Sequence, residues 1–125
     1  LVLYDEPYAW TVRDLLAHFL SAEEGLRRLA QHIAAGGPGV SAEFDYHAFN
    51  ASEHERLTSV PRGRLLDQLR AARQDTIAWV ATLEEAHLNR VGGHPALGEI
   101  AVETFINTIY GHQLMHMRDL MQVLN

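Results

Sequence analysis

Three long amphipathic segments constrain the fold of this 125-residue chain more than any other feature. In each of them apolar residues recur at steps of three and four, which places them along one face of an α-helix. The first segment begins at Thr11, a favourable N-cap with Asp14 three residues later, and ends at the Gly36-Gly37 pair. Its apolar positions are Val12, Leu15, Leu16, Phe19, Leu26, Leu29 and Ile33.

The other two segments lie in the second half of the chain. One begins near Ser59, with Pro61 as an early helical residue, and the other runs from Glu99 nearly to the end. The glycine-rich stretch NRVGGHPALG separates them. The apolar positions of the earlier segment are Leu65, Leu66, Leu69, Ile77, Val80 and Leu83. Because no stretch shows the alternation typical of a strand, we expect an all-α, antiparallel bundle that forms one domain over residues 1–125.

The connector between the first two segments is too apolar for a freely solvated linker. We expect its aromatic residues to pack over one end of the domain, and residues 52–56 to form a short helix. The aromatic residues are Phe44, Tyr46 and Phe49.

Composition and charge exclude several classes of function. The net charge is −6 and the basic residues are scattered, so the chain lacks the basic face with which proteins bind nucleic acid directly. No apolar run reaches the roughly 20 residues that cross a membrane, and no secretory leader is recognisable. The absence of cysteine excludes disulfides and thiolate metal ligands. We therefore expect a cytoplasmic protein with neither membrane nor nucleic acid as a partner.

Two histidines in the last segment occupy positions where a helix normally places core residues. His112 and His116 continue the apolar stripe of Phe105 and Ile109, and their Cβ atoms should lie about 5–6 Å apart. Two imidazoles at that distance can share one metal ion through bonds of about 2.0–2.1 Å. Burial without partners would cost roughly 1–3 kcal/mol each. His18, at the edge of the first stripe, is the candidate third ligand; three nitrogens with an open position are typical of a catalytic metal site.

Structural explanations of the same residues stay open. A His-x₃-His pair arises readily by chance among eight histidines, and backbone carbonyls or Asp119 could satisfy it. Asp119 is either an outer hydrogen-bond partner of His116 or a solvated charge. His18 alone could be a satisfied histidine at the core edge.

The remaining polar and aromatic residues suggest no chemistry. We expect solvated histidines without a role at His32, His47, His54, His87 and His94. We expect exposed ion pairs of little energetic weight among Glu23, Glu24, Arg27 and Arg28. Trp10 and Trp79 are expected to anchor the core.

Three stretches resemble the DinB-like (YfiT-like) superfamily, whose members are regarded as metalloenzymes. WTVRDLLAHFLSAE resembles the family's Trp-[Ser/Thr]-Val segment, whose histidine corresponds to His18. FNASEHERLTSVPRGRLLDQLRAAR resembles its variable middle, and GHQLMHMRDL resembles its closing His-x₃-His motif, which matches His112 and His116. The three stretches also follow the family's order along the chain.

The resemblance implies a four-helix bundle with unusual connectivity, a three-histidine site for zinc, nickel, iron or manganese, and a homodimer. The family helix that normally precedes the Trp-Thr-Val segment is not in this sequence, so the domain is expected to lack it and to retain three long helices. Asn50 corresponds by resemblance to a polar group of the pocket, and a loop-capping asparagine is the alternative. Members with assigned activities resemble S-transferases or isomerases that use low-molecular-weight thiols such as bacillithiol or mycothiol.

Two functional hypotheses follow. In the first, the chain is a metal-dependent enzyme whose ion activates a water or a low-molecular-weight thiol for hydrolysis or S-transfer on a small molecule. In the second, it is a non-catalytic, dimeric helical binding or stress-response module whose metal is structural or vestigial. The sequence does not determine the metal, because three imidazoles suit several first-row ions.

Overall fold

A computed structural model describes residues 10–124, and helices account for most of them. The elements are α1 (Val12–Ala34), α2 (Tyr46–Leu57), α3 (Arg62–Val80), α4 (Glu85–Leu88), β1 (Val91–His94), β2 (Gly98–Ala101) and α5 (Val102–Leu124). The expected fold, an all-α helical bundle with three long helices, is confirmed. The prediction about a missing first helix concerns a part of the protein that lies outside the described residues.

Helix α1 is the centre of the bundle and packs against α2, α3 and α5. At its start Thr11 and Asp14 form the predicted reciprocal cap: each side chain accepts a hydrogen bond from the other's backbone N–H, at 3.2 and 3.0 Å. At its end Gly36 adopts a φ of +103°, a conformation that L side chains rarely tolerate. Both predicted ends of the helix are therefore confirmed.

The core is divided into three clusters along α1. Trp10, Leu15 and Phe19 are buried together near its start, close to Leu120 of α5. The middle cluster lies against α3, and the last joins α1 to α5 and includes the fully buried Phe105. Trp10 is buried and the half-buried Trp79 packs on the last cluster, as expected for core anchors.

Helix α3 buries only part of the predicted apolar stripe. Leu65 is buried and Leu69, Val80 and Leu83 are half-buried, whereas Leu66 and Ile77 are 37% and 53% exposed. The buried positions between them are Ala72 and Thr76, which lie against charged residues of α1. The predicted stripe was therefore wrong at Leu66 and Ile77.

The glycine-rich stretch before α5 forms an antiparallel hairpin, in contrast to the expectation of no strands. Strands β1 and β2 pair from Val91 with Ala101 to His94 with Gly98. The N–H of Gly93 donates to the Pro38 carbonyl at 2.9 Å, and the Gly93 carbonyl accepts from the N–H of Val40 at 3.1 Å. A Cβ at Gly93 would collide with the Val40 carbonyl, so this backbone contact requires glycine. The hydrophobic pattern of the sequence could not predict these strands, because they contact the rest of the protein through the backbone of a glycine.

The connector helix is longer than predicted. Helix α2 covers Tyr46–Leu57 rather than residues 52–56 alone, and it begins where the Asp45 carboxylate accepts from the Ala48 N–H at 3.0 Å. Among residues 10–124, none of the helices combines the length and the apolar character that a membrane crossing requires.

Candidate metal centre

The three predicted histidines meet between α1 and α5. The Nε2 atom of His18 lies 2.9 Å from that of His112, which in turn lies 3.1 Å from the Nε2 of His116. One ligand nitrogen from each ring falls within 4.8 Å of the others. The predicted convergence is therefore present, and metal binding at this point stays a prediction.

Local structure fixes the orientation of each ring. His112 and His116 lie one turn apart on the buried side of α5, which continues the stripe from Phe105 and Ile109. Trp10 packs on His18 with ring centroids 4.7 Å apart, and Phe19 lies 6.0 Å from His116. An aromatic wall from the start of α1 thus limits the rotation of the imidazoles. The stripe ends at the half-buried Leu120, because Val123 is exposed.

The environment keeps the histidines neutral. Burial, followed by the proximity of His112 and His116, lowers the pKa of His18 to about 3. Burial, followed by the proximity of His116 and of His94, lowers the pKa of His112 to about 4. Burial also lowers the pKa of His116, against the opposing effect of the Asp119 carboxylate. At neutral pH the nitrogen lone pairs are therefore available to a cation.

The ring spacing suits one ion. Two nitrogens bound to the same ion by bonds of about 2.0–2.1 Å can be at most about 4.2 Å apart. Two of the three separations, 2.9 and 3.1 Å, fall within that limit, and all three nitrogens lie within 4.8 Å of one another. Buried polar atoms normally have hydrogen-bond partners, yet among the described residues the buried His112 Nδ1 has none. The three nitrogens could therefore hold a divalent cation.

A pocket with a volume of about 720 Å³ opens beside the histidines, a size typical of small-molecule sites. Its walls come from α1, α2, α5 and the hairpin turn. They are mainly apolar and include Leu26, Leu29, Phe44, Tyr46, Phe49 and Met115. The aromatic residues of the connector, expected over one end of the domain, thus line this pocket. Asn50 is also in its wall, as its resemblance implied, and its role stays a prediction.

Glu23 and Arg27 contradict the expectation of exposed ion pairs. Glu23 is 1% exposed, and its carboxylate accepts hydrogen bonds from Arg73 at 2.8 Å, Thr76 at 2.6 Å and Gln113 at 3.1 Å. Arg27, also buried, donates to the Ala72 carbonyl at 2.7 Å. The helical spacing could have predicted the burial of Glu23, because position 23 continues the apolar stripe of Phe19 and Leu26.

The neighbouring residues behave as predicted. Arg28 and Glu24 form a loose pair of 3.9 Å at the surface, where the Arg28 side chain is 70% exposed. The exposed-pair prediction was therefore correct for these two residues and wrong for Glu23 and Arg27.

His94, expected to be solvated, is half-buried in the pocket wall. Its ring packs on Phe105 with centroids 4.9 Å apart, and burial lowers its pKa. The burial of His94 was not predicted because the sequence analysis did not predict the hairpin, which places this residue against α5.

Comparison with known proteins agrees with the fold and the histidine motif. No curated protein matches the sequence significantly. The family model of the DinB superfamily matches residues 4–120, which include all three histidines. The chain belongs to the DinB superfamily.

Proposed function

We propose that this protein is a metal-dependent enzyme in which His18, His112 and His116 hold one divalent ion at the wall of the pocket. The observation that carries the proposal is the convergence of three neutral imidazoles beside a cavity of about 720 Å³. A structural metal is normally enclosed by four protein ligands, whereas three ligands beside a pocket leave a position for a reactant.

A divalent ion in such a site lowers the pKa of a water or thiol that shares it, which produces a nucleophile at neutral pH. The protein's own residues contribute binding and exclusion of water. The apolar walls bind an apolar portion of a small molecule, and Trp10, itself in the pocket wall, and Phe19 pack against the imidazoles. The chain contains no cysteine, so a reacting thiol must come from a small-molecule cosubstrate such as a low-molecular-weight thiol.

Metal content tests the site. Protein purified without a histidine tag should carry about one divalent ion per chain, measured by elemental analysis, and His116→Ala should lose it. His87→Ala is the matched control, because His87 caps the short helix α4 through the Glu84 N–H, away from the pocket. Equal, low occupancy in the wild type and the His116 variant would contradict the proposal.

Turnover separates the enzyme from a non-catalytic module. We expect metal-dependent conjugation of cysteine to 1-chloro-2,4-dinitrobenzene if the site activates thiols, or metal-dependent hydrolysis of p-nitrophenyl acetate if it activates water. Either rate should disappear in His116→Ala and persist in His87→Ala. A metal that is bound stoichiometrically without accelerating either reaction would favour a structural ion in a binding module.

A further inference from the structure

The hydrogen bonds of the hairpin turn fix the tautomer of His94. The backbone N–H groups of Ala96 and Leu97 both donate to its Nδ1, at 3.0 and 3.1 Å. Nδ1 therefore acts as an acceptor and carries no proton. In the neutral ring the proton must reside on Nε2, which makes that atom a hydrogen-bond donor.

Within residues 10–124 this donor has one weak hydrogen-bond partner. Its Nε2 lies 3.4 Å from the Thr108 Oγ1, close to the upper limit for a hydrogen bond. The Thr108 hydroxyl uses its own proton on the Phe105 carbonyl at 2.6 Å, so towards His94 it can only accept. A bound molecule with a better acceptor would therefore find the Nε2–H available.

The position of His94 relates it to the metal centre. Thr108, His112 and His116 follow one another at intervals of four on α5, so they lie on the same side of the helix. Four residues span about 6 Å along an α-helix. His94, held at Thr108, thus lies about one turn from His112 along the same face, and both line the pocket. The spacing matches a small molecule that has one atom at the metal centre and an oxygen a few bonds away.

We propose that His94 is a substrate-positioning residue whose Nε2–H binds an acceptor oxygen, such as a carboxylate or carbonyl, of the small molecule in the pocket. The inference rests on the proposed metal centre for the position of the reacting end. It defines the ligand class as a compact molecule with an apolar body and an oxygen acceptor near its metal-binding atom.

Two substitutions distinguish the proposed binding of a ligand by the Nε2–H of His94 from the capping of the turn by its Nδ1. Asparagine places its Oδ1 near the position of histidine Nδ1, so His94→Asn keeps an acceptor for Ala96 and Leu97 and removes the Nε2 donor. Glutamine places an amide N–H near the position of histidine Nε2, so His94→Gln keeps a donor in the pocket. A purely structural role would tolerate Asn better than Gln, whereas the proposed role requires the reverse.

The test uses cobalt-loaded protein and two thiols. N-acetyl-L-cysteine carries acceptor oxygens and 1-butanethiol carries none; binding of both is followed by the sulfur-to-cobalt charge-transfer absorption. We expect His94→Asn to weaken N-acetyl-L-cysteine binding about tenfold or more, His94→Gln to restore most of it, and 1-butanethiol to bind all three proteins alike.

The cobalt content of the protein and the tautomer of His94 distinguish a failure of this proposal from a failure of the proposed metal centre. Cobalt bound stoichiometrically with equal N-acetyl-L-cysteine affinity in the wild type and His94→Asn would overturn the role of His94 and leave the metal centre intact. Failure of the wild type to bind cobalt would overturn the proposed function itself. Long-range ¹H–¹⁵N NMR of metal-free protein provides an independent measurement: we expect a protonated Nε2 and a bare Nδ1 in His94, and the opposite tautomer would overturn the inference.

Discussion

Two polar clusters adjoin each other on α1, one shared mainly with α3 and the other with α5, and they are organised in opposite ways. The carboxylate cluster, centred on Glu23, contains Arg73, Thr76 and Gln113 as donors to one acceptor. The histidine cluster, formed by His18, His112 and His116, brings like groups together and leaves a buried nitrogen of His112 without a partner in the part of the chain that the structure describes.

The difference supports the proposal that the histidine cluster binds a ligand. Buried polar groups are normally satisfied, and the Glu23 carboxylate meets this requirement within the protein. The histidine cluster does not meet it fully, because the buried Nδ1 of His112 has no hydrogen-bond partner among residues 10–124. A buried polar cluster whose hydrogen bonds are all made within the protein is expected to have a structural role. A cluster whose side chains converge but lack some partners is expected to bind a ligand.

Removing the centre of the carboxylate cluster should have the largest effect. In Glu23→Leu the partly buried Arg73 loses its ion-pair partner, and Thr76 and Gln113 lose their acceptor. Breaking a fully buried pair on one side costs roughly 3–5 kcal/mol, and the one-third exposure of Arg73 places the expected loss near the lower end of that range. Urea unfolding of metal-free protein measures this loss. Glu24→Leu is the control: its partner Arg28 is exposed, so the change should be below about 1 kcal/mol. Equal losses in the two variants would remove the distinction between a buried and a surface pair.

The same type of substitution in the histidine cluster should have a much smaller effect. His112→Leu removes an imidazole whose Nδ1 has no partner among the described residues, which favours the variant, but it also takes the Nε2 contact from His18 and His116. We expect the stability of metal-free His112→Leu to lie within about 1 kcal/mol of that of the wild type. Added Zn²⁺ should raise the midpoint of thermal unfolding only in the wild type. A large destabilisation of the metal-free variant would show that the ring is structural.

Sequence patterns predicted the features that depend on local spacing. The cap at Thr11, the end at Gly36 and the i, i+4 histidine pair all follow from the helical repeat. The edge of the first apolar stripe indicated His18, which the family resemblance also matched. The missed features depend on partners distant in sequence. Glu23 is buried only because Arg73 and Gln113 reach it from two other helices. The hairpin packs on the rest of the protein where Gly93 contacts the loop after α1.

Acid should weaken the metal-free protein through the histidine cluster. The folded-state pKa values of His18 and His112, about 3 and about 4, lie below the value of 6.5 for a free histidine. Between these values the unfolded chain binds more protons than the folded chain, so stability rises with pH and falls as pH drops below 6.5. Each such histidine contributes up to about 1.4 kcal/mol per pH unit.

The slope of unfolding free energy between pH 6 and pH 5 provides the measurement. In His112→Leu this slope should be smaller than in the wild type by about one proton. An unchanged slope would mean that His112 is protonated in the folded protein, contrary to its burial.

The smallest effect is expected where the two clusters adjoin. Gln113 follows His112 on α5 and donates to Glu23, which keeps its other donors when Gln113 is removed. Gln113→Ala should therefore destabilise the protein by only about 1 kcal/mol in urea unfolding. A loss as large as that of Glu23→Leu would show that the carboxylate cluster depends on this link.

The central claim is that three imidazoles share one cation. Crystals of tag-free, zinc-loaded protein measured at the zinc absorption edge test it most directly. We predict one anomalous peak per chain, bonded at about 2.0–2.1 Å to an imidazole nitrogen of each of His18, His112 and His116. A peak elsewhere, or zinc that contacts fewer than three of these rings, would contradict the account.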